Sequence, residues 1–132
     1  MRVDTTNALV ARLAGFDRIV EVGVGCRPGV AARLAARGVS VTATDIRERP
    51  VPAAVRFVCD DVTDPDRGVY AGADAVFARN LPPELHHPVR AIAREAGARF
   101  LFTTLGADPP VVPVARETLP GTTLFVANPQ SS

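Results

Sequence analysis

The chain has 132 residues, 47% of them hydrophobic, and a formal net charge of +1 at pH 7. This length predicts a single domain over residues 1–132 and leaves no room for a separate substrate domain. The balanced charge gives no strong signal for nucleic acid or an anionic membrane surface. No apolar run approaches the roughly 18 residues of a membrane span, and residues 1–4 do not resemble the start of a signal peptide, so we expect a cytoplasmic protein.

The first half of the chain alternates helical and strand patterns. Leu9, Val10 and Leu13 recur at helical spacing, whereas residues 18–22 form a short apolar run that leads into two glycines. The predicted elements are a helix that ends before Gly15, a strand over residues 18–22, a helix from Pro28 to Gly38, and strands over residues 39–44 and 55–59. The last two strands end at Asp45 and at Asp60-Asp61.

The second half continues this alternation. Residues 79–83 must be irregular, because two prolines forbid a central strand there. The predicted elements are a strand over residues 73–78, a helix from about Pro88 to Ala96, a strand over residues 98–104, and one last β run over residues 122–126. Apart from this last run, we expect no strand after residue 104.

Apolar strands that alternate with helices are typical of a parallel sheet covered on both faces. We therefore predict an α/β fold, a single-domain Rossmann-like three-layer αβα sandwich with a mostly parallel sheet. The break in strand order places a crevice at the carboxyl ends of the first and fourth strands. The polar and glycine residues that follow strands at this edge are Gly23, Gly25, Asp45, Asp60, Asp61 and Asn80.

A glycine turn gives the strongest functional signal. Gly23 and Gly25 lie directly after a strand and before a helix, where they permit positive φ and let a ligand approach the backbone. Asp45 lies twenty residues beyond Gly25, where a carboxylate can accept both hydroxyls of a ribose. The third glycine, Gly29, comes one position later than the dinucleotide fingerprint requires. The spacing therefore favours a nucleoside ligand over a pyrophosphate.

Two further polar stretches lie at the same edge. Asp60 and Asp61 are candidates for an adenine amino group, although a solvated loop or a helix cap explains them equally well. Asn80 can donate to and accept from an amide or a base edge, and a rigid connector without chemistry remains the alternative.

The cysteines and histidines give no catalytic or metal signal. Cys26 and Cys59 match no zinc spacing, so no metal site is predicted. We expect Cys59 to be a small core residue, and His86 and His87 to be exposed loop residues. All basic residues are arginines, which excludes a lysine nucleophile or Schiff base.

The motifs Glu21-x-Gly23-x-Gly25, Asp45, Asp60 and Asn80-x-Pro82-Pro83 resemble those of class I S-adenosylmethionine-dependent methyltransferases. Residues 19–46, the Pro82-Pro83-Glu84-Leu85 turn and Ala96-Gly97-Ala98 more closely resemble a small archaeal family of uncharacterised Rossmann-like proteins. These similarities span most of the chain. Because only one β run follows the fifth strand, we expect a truncated version of the methyltransferase fold.

The resemblance implies S-adenosylmethionine as the cofactor and a role for each matching residue. Gly23 and Gly25 would face its methionyl part, and Glu21 would organise their turn. Asp45 would hold the ribose hydroxyls, Asp60 would lie near the adenine, and Asn80 would line the acceptor side.

Three functions follow from these observations. The first is methyl transfer to an unidentified acceptor, which requires mostly positioning and few catalytic side chains. The second is a non-catalytic nucleotide-binding or protein-interaction module. The third, less favoured because of the displaced glycine, is an NAD(P)-binding protein. A homodimer or a protein partner is left open.

Overall fold

Five parallel strands form the centre of the structure, a computed structural model that describes residues 4–127. They are β1 (Arg18–Val22), β2 (Ser40–Asp45), β3 (Arg56–Cys59), β4 (Ala75–Ala78) and β5 (Arg99–Phe102). Their order across the sheet is β3-β2-β1-β4-β5. The winding therefore reverses between β1 and β4, which confirms the predicted place of the crevice at the carboxyl ends of these two strands.

Two antiparallel strands complete the sheet. The last of them, β7 (Thr122–Ala127), lies between β5 and β6 (Val114–Leu119), so the full order is β3-β2-β1-β4-β5-β7-β6. The expectation of a single β run after β5 is wrong. The missed strand β6 is a polar edge strand that contains Arg116, Glu117 and Thr118, and such sequences carry no apolar alternation.

Helices cover both faces of the sheet. They are α1 (Thr5–Leu13), α2 (Gly29–Ala36), the single turn α3 (Arg67–Tyr70) and α4 (His86–Ala96). The last helix begins two residues before the predicted start, because Pro88 lies in its first turn, where proline is tolerated. Within residues 4–127, neither the connection from β2 to β3 nor that from β5 to β6 contains a helix.

The hydrophobic core forms two layers. One layer joins α1 and α2 to strand residues such as Ile19 and Leu101, and the other joins α4 to strand residues such as Val20 and Phe100. Because side chains alternate along a strand, Glu21 faces the same side as Ile19, beneath α1 and α2. An ionisable side chain is thereby placed in an apolar layer. Expectations for residues 1–3 and 128–132 lie outside the described residues.

Candidate cofactor site

The turn after β1 holds both predicted glycines in the left-handed region. The φ angles are +71° at Gly23 and +58° at Gly25, values that residues with a Cβ rarely adopt. The amides of Gly23 and Val24 donate to the carbonyl of Thr44, at 2.9 and 3.0 Å. The amide of Gly25 donates to Oδ2 of Asp45, at 2.8 Å. Three consecutive amides are therefore bonded within the protein and do not form an open anion cradle.

Asp45 ends β2 beside this turn and is 8% exposed. Its Oδ1 accepts the Arg47 amide at 3.1 Å and lies 3.5 Å from Nε of Arg49. Burial alone would raise the pKa of Asp45, but the two backbone hydrogen bonds and the Arg49 guanidinium outweigh it and hold this pKa below its usual value. Each carboxylate oxygen can accept two hydrogen bonds. A charged, rigidly held Asp45 therefore retains acceptor capacity for a diol.

Glu21 is the buried carboxyl of the site. It is 3% exposed, and its Oε1 has no hydrogen-bond partner among the described residues. Burial raises the pKa of Glu21 to about 8, and the nearby Arg79 guanidinium only partly opposes this effect. Glu21 is therefore mostly neutral at pH 7.

The turn after β4 places Arg79 and Asn80 opposite the glycine turn. Asn80 has a φ of +55°, and asparagine tolerates this region better than most residues. Its amide donates to Oγ1 of Thr103 at 2.8 Å, which ties the turn to the end of β5. The Arg79 guanidinium donates to Oγ1 of Thr6 in α1 at 3.2 Å. Hydrogen bonds to residues of other segments therefore hold both Arg79 and Asn80 in place.

A cavity of about 220 Å³ lies between these two turns. It is lined by Glu21, residues 23–27 and residues 79–80. Its glycine backbone, buried carboxyl and guanidinium groups come from β1, the first turn and the turn after β4. The structure thus brings Glu21, Gly23, Gly25 and Asn80 around one space, with Asp45 bonded to its rim through Gly25.

Asp60 and Asp61 lie farther along the edge and do not line this cavity. Oδ1 of Asp60 accepts the Asp66 amide at 2.9 Å, and its Oδ2 is buried without a hydrogen bond among the described residues. Burial and nearby carboxylates raise the pKa of Asp60, despite that backbone bond. Asp61 instead accepts bonds from the amide and hydroxyl of Thr63. Asp60 is connected to Asp45 by a backbone hydrogen bond, in which the Asp60 amide donates to the Asp45 carbonyl at 3.0 Å.

Sequence reasoning missed three residues around the site. Ile46 is 70% exposed directly after Asp45, Arg49 pairs with Asp45 from four residues later in the chain, and Arg79 faces Glu21. The sequence gives only the position of Ile46 directly after the strand-end acid, because single exposed apolar residues are common on protein surfaces and its exposure is known only from the structure. The positions of Arg49 and Arg79 depend on the turns and leave no pattern in the sequence.

Three expectations about thiols and imidazoles are wrong. His87 is exposed as expected, but it lies in α4 and not in a loop. His86 is fully buried: its Nδ1 accepts the Val111 amide at 3.1 Å, and its Nε2 lies 3.0 Å from the carbonyl of Leu81, to which it donates. Cys59 is exposed, because β3 is an edge strand without helical cover. Cys26 is exposed on the cavity wall, 3.3 Å from the Arg49 guanidinium. Within residues 4–127, no three His, Cys, Asp or Glu side chains form a potential metal site.

Relatives of the chain decide its family. Residues 3–129 match the sequence profile of Uncharacterised protein family UPF0146. A UPF0146 protein from Halobacterium salinarum is 56% identical over 120 residues, which cover 90% of this chain and 93% of the relative. The chain belongs to the UPF0146 family. Its relatives include proteins from the archaea Archaeoglobus fulgidus and Pyrococcus horikoshii, which confirms the archaeal resemblance.

Solved structures show which fold this UPF0146 protein has. An RNA methyltransferase from Salinibacter ruber in complex with S-adenosylhomocysteine superposes with a TM-score of 0.67 at 18% identity, covering 100% of this chain and 95% of the other. Magnesium protoporphyrin IX methyltransferase from Synechocystis with bound S-adenosylmethionine gives a TM-score of 0.62 at 13% identity, with 94% and 78% covered. The fold is that of class I methyltransferases, as predicted. Among the helices of residues 4–127, none is long and apolar enough to span a membrane.

Proposed function

We propose that the protein binds S-adenosylmethionine at the carboxyl edge of β1 and β2 and transfers its methyl group to an acceptor. The observation that carries this proposal is the arrangement of Asp45. A charged carboxylate is held at the end of β2 and accepts a hydrogen bond from the turn after β1, whose Gly23 and Gly25 have no Cβ atoms. A ribose diol matches the acceptor capacity of this group.

The amino-acid part of the cofactor fits the cavity of about 220 Å³. Its ammonium group would pair with Glu21, whose Oε1 has no other partner among the described residues. Its carboxylate would pair with Arg79 on the opposite wall. A buried polar group without a partner is costly, so an ammonium ligand would remove this cost.

The nucleoside part would extend past Gly25 along the edge of the sheet. Its ribose would lie on Asp45, and its adenine would pack on the exposed face of Ile46. Burial of a side chain of this size contributes about 1.5–3 kcal/mol when complete. Asp60, bonded through its amide to the Asp45 carbonyl, would lie on the adenine side.

The glycine turn argues against a dinucleotide. Pyrophosphate binding requires free amides at the start of a helix. The amides of Gly23, Val24 and Gly25 are already bonded to Thr44 and Asp45. Pro28, which precedes α2, contributes no amide donor.

When bound, S-adenosylmethionine supplies an electrophilic methyl group on a sulfonium. The protein then has to align the acceptor and exclude water. Asn80 lies on the cavity wall nearest β4 and β5, and the hydrogen bond from its backbone amide to Oγ1 of Thr103 fixes its position. We assign Asn80 to the acceptor side as a positioning residue.

A thermal-shift comparison tests binding. The ligands are S-adenosylmethionine, S-adenosylhomocysteine, NAD and NADP, and a ligand that binds stabilises the fold by about 2.7 kcal/mol at a hundredfold its Kd. We expect stabilisation by the first two alone, and its loss in Asp45→Ala. The matched control is Asp17→Ala, which changes an exposed acid directly before β1, at the amino ends of the parallel strands. Stabilisation that survives in Asp45→Ala would place the nucleoside elsewhere.

Cys26 offers an independent reporter of the same site. In a Cys59→Ser background the only remaining thiol lies on the cavity wall. S-adenosylhomocysteine should slow its alkylation by iodoacetamide, and NAD should not. An unchanged rate with a bound ligand would show that the ligand does not enter this cavity.

A cofactor-binding protein without catalysis is the second candidate. It is favoured by the absence of a helix in the β5–β6 connection of the described chain, since this connection borders the acceptor side next to Asn80 and a helix there would cover a substrate. Label transfer from methyl-labelled S-adenosylmethionine into an extract separates the two functions. Labelled product supports the enzyme, and binding without any labelled product supports the second candidate.

A further inference from the structure

A second cavity opens at the carboxyl edge of the sheet. Its volume is about 520 Å³, and its walls are the loop after β5 and the end of the β6–β7 hairpin. Asn80 lines both this cavity and the one beside Glu21. Ligands in the two cavities would therefore meet at Asn80. We call this second space the Arg116 cavity.

Arg116 is the only basic residue among the described residues that line the Arg116 cavity. Its guanidinium carbon lies 5.5 Å from the centroid of the Phe125 ring, its cross-strand partner. Within residues 4–127 no carboxylate lies at ion-pair distance from it. A guanidinium held over an aromatic ring keeps its outer N–H groups available, and their planar arrangement matches a carboxylate.

The other polar groups of the Arg116 cavity limit the charge of its ligand. Asp108, on the loop after β5, contributes a carboxylate to the lining. It would repel a ligand with several negative charges, because repulsion between like charges is strong in a partly enclosed space. Thr104, Thr122 and Thr123 supply hydroxyls that both donate and accept. The lining thus suits a polar ligand with one negative charge.

Building on the proposed function, we propose that the Arg116 cavity holds the methyl acceptor and that this acceptor is a small molecule with a single carboxylate, bound by Arg116. The reacting nitrogen or oxygen of this molecule would lie beside Asn80. Its lone pair forms the bond to the methyl carbon while the carbon–sulfur bond breaks and leaves its electron pair on sulfur. The proton of the acceptor atom leaves to water.

A nucleic acid is the competing class of acceptor. Its backbone requires several basic side chains along the binding surface. The described lining of the Arg116 cavity contains one arginine and one aspartate, Asp108. The observations therefore favour the small carboxylate, and a nucleic acid becomes an outcome of the test.

The test follows backbone amide signals by nuclear magnetic resonance while benzoate is added to the full chain. The titration is performed with and without saturating S-adenosylhomocysteine. We expect benzoate to shift the amides of Thr104, Thr122 and Thr123 in both cases. Arg116→Gln should weaken benzoate binding about tenfold, since a charge-assisted pair is lost. Arg56→Gln, an exposed arginine on the opposite edge strand β3, should change nothing.

Three results would overturn the proposal: no shift of these amides with benzoate, equal benzoate binding by Arg116→Gln, or an oligouridylate that binds this cavity more tightly than benzoate. Asp108→Asn adds a further check, because inorganic phosphate should bind more tightly to this variant than to the wild type. The proposed function fails separately if S-adenosylhomocysteine leaves the amides of Gly23 and Gly25 unshifted.

Discussion

The buried carboxyl of Glu21 makes the stability of this fold depend on pH. In the unfolded chain its pKa is near 4.5, and burial raises it to about 8 in the folded protein. The folded state therefore holds a proton that the unfolded state loses between these values. Stability from this group is fully present below pH 4.5 and is lost as the pH rises through about 8.

The size of this effect follows from the two pKa values. At 1.36 kcal/mol per pH unit, the interval from 4.5 to about 8 corresponds to roughly 5 kcal/mol of unfolding free energy. About 3 kcal/mol of it is already lost at pH 7. Glu21→Gln replaces the acid with a neutral group of the same shape, so its stability should not carry this dependence.

Urea unfolding of both proteins from pH 4 to pH 9 measures the difference. We expect Glu21→Gln to gain stability over the wild type progressively between pH 4.5 and about 8, and to keep a constant difference above that. Glu84→Gln, an exposed acid in the turn before α4, is the matched control and should follow the wild-type curve. A difference between Glu21→Gln and the wild type that stays the same at every pH would refute a neutral Glu21.

The other predictions concern the same site and its support. Binding of the S-adenosylhomocysteine ammonium should ionise Glu21, so calorimetry at pH 7 in two buffers of different ionisation enthalpy should show proton release. The affinity, measured at several pH values, should rise up to about pH 8. Equal binding enthalpies in the two buffers would contradict this pairing. Gly25→Ala should cost about 1–2 kcal/mol in urea unfolding, because its φ is +58°, whereas Gly15→Ala, with open space around it and no positive φ, should cost nothing. His86→Ala should lose about 2–4 kcal/mol, since it leaves the Val111 amide unpaired and opens a cavity; His87→Ala, which is exposed, should remain within about 0.5 kcal/mol of wild type.

Much of the parallel core could be predicted from the sequence, because its signals are local. The run over residues 18–22 is mostly apolar, and the glycines Gly23 and Gly25 that follow it indicate a turn. The position of Asp45 at a strand end follows likewise from the strand pattern of residues 39–44 that precede it. The carboxyl edge and the position of the crevice then follow from the handedness of the crossovers.

The rest depends on tertiary context. Strand β6 is stabilised by its pairing with β7, and its central Arg116 and Glu117 carry no β signal of their own. Cys59 looks like a core residue until β3 is known to be an edge strand. Nothing near Glu21 in the sequence indicates that α1 and α2 bury it and Arg79 faces it. Glu21, the most strongly perturbed carboxyl of the site, therefore depends on contacts between distant segments.

A structure of the protein with S-adenosylhomocysteine tests the central claim most directly. We expect the ribose hydroxyls within hydrogen-bond distance of the Asp45 carboxylate, the ammonium group on Glu21 and the adenine against Ile46. A complex in which the nucleoside lies away from the β2 edge, while Asp45 contacts only Gly25, Arg47 and Arg49, would contradict the account.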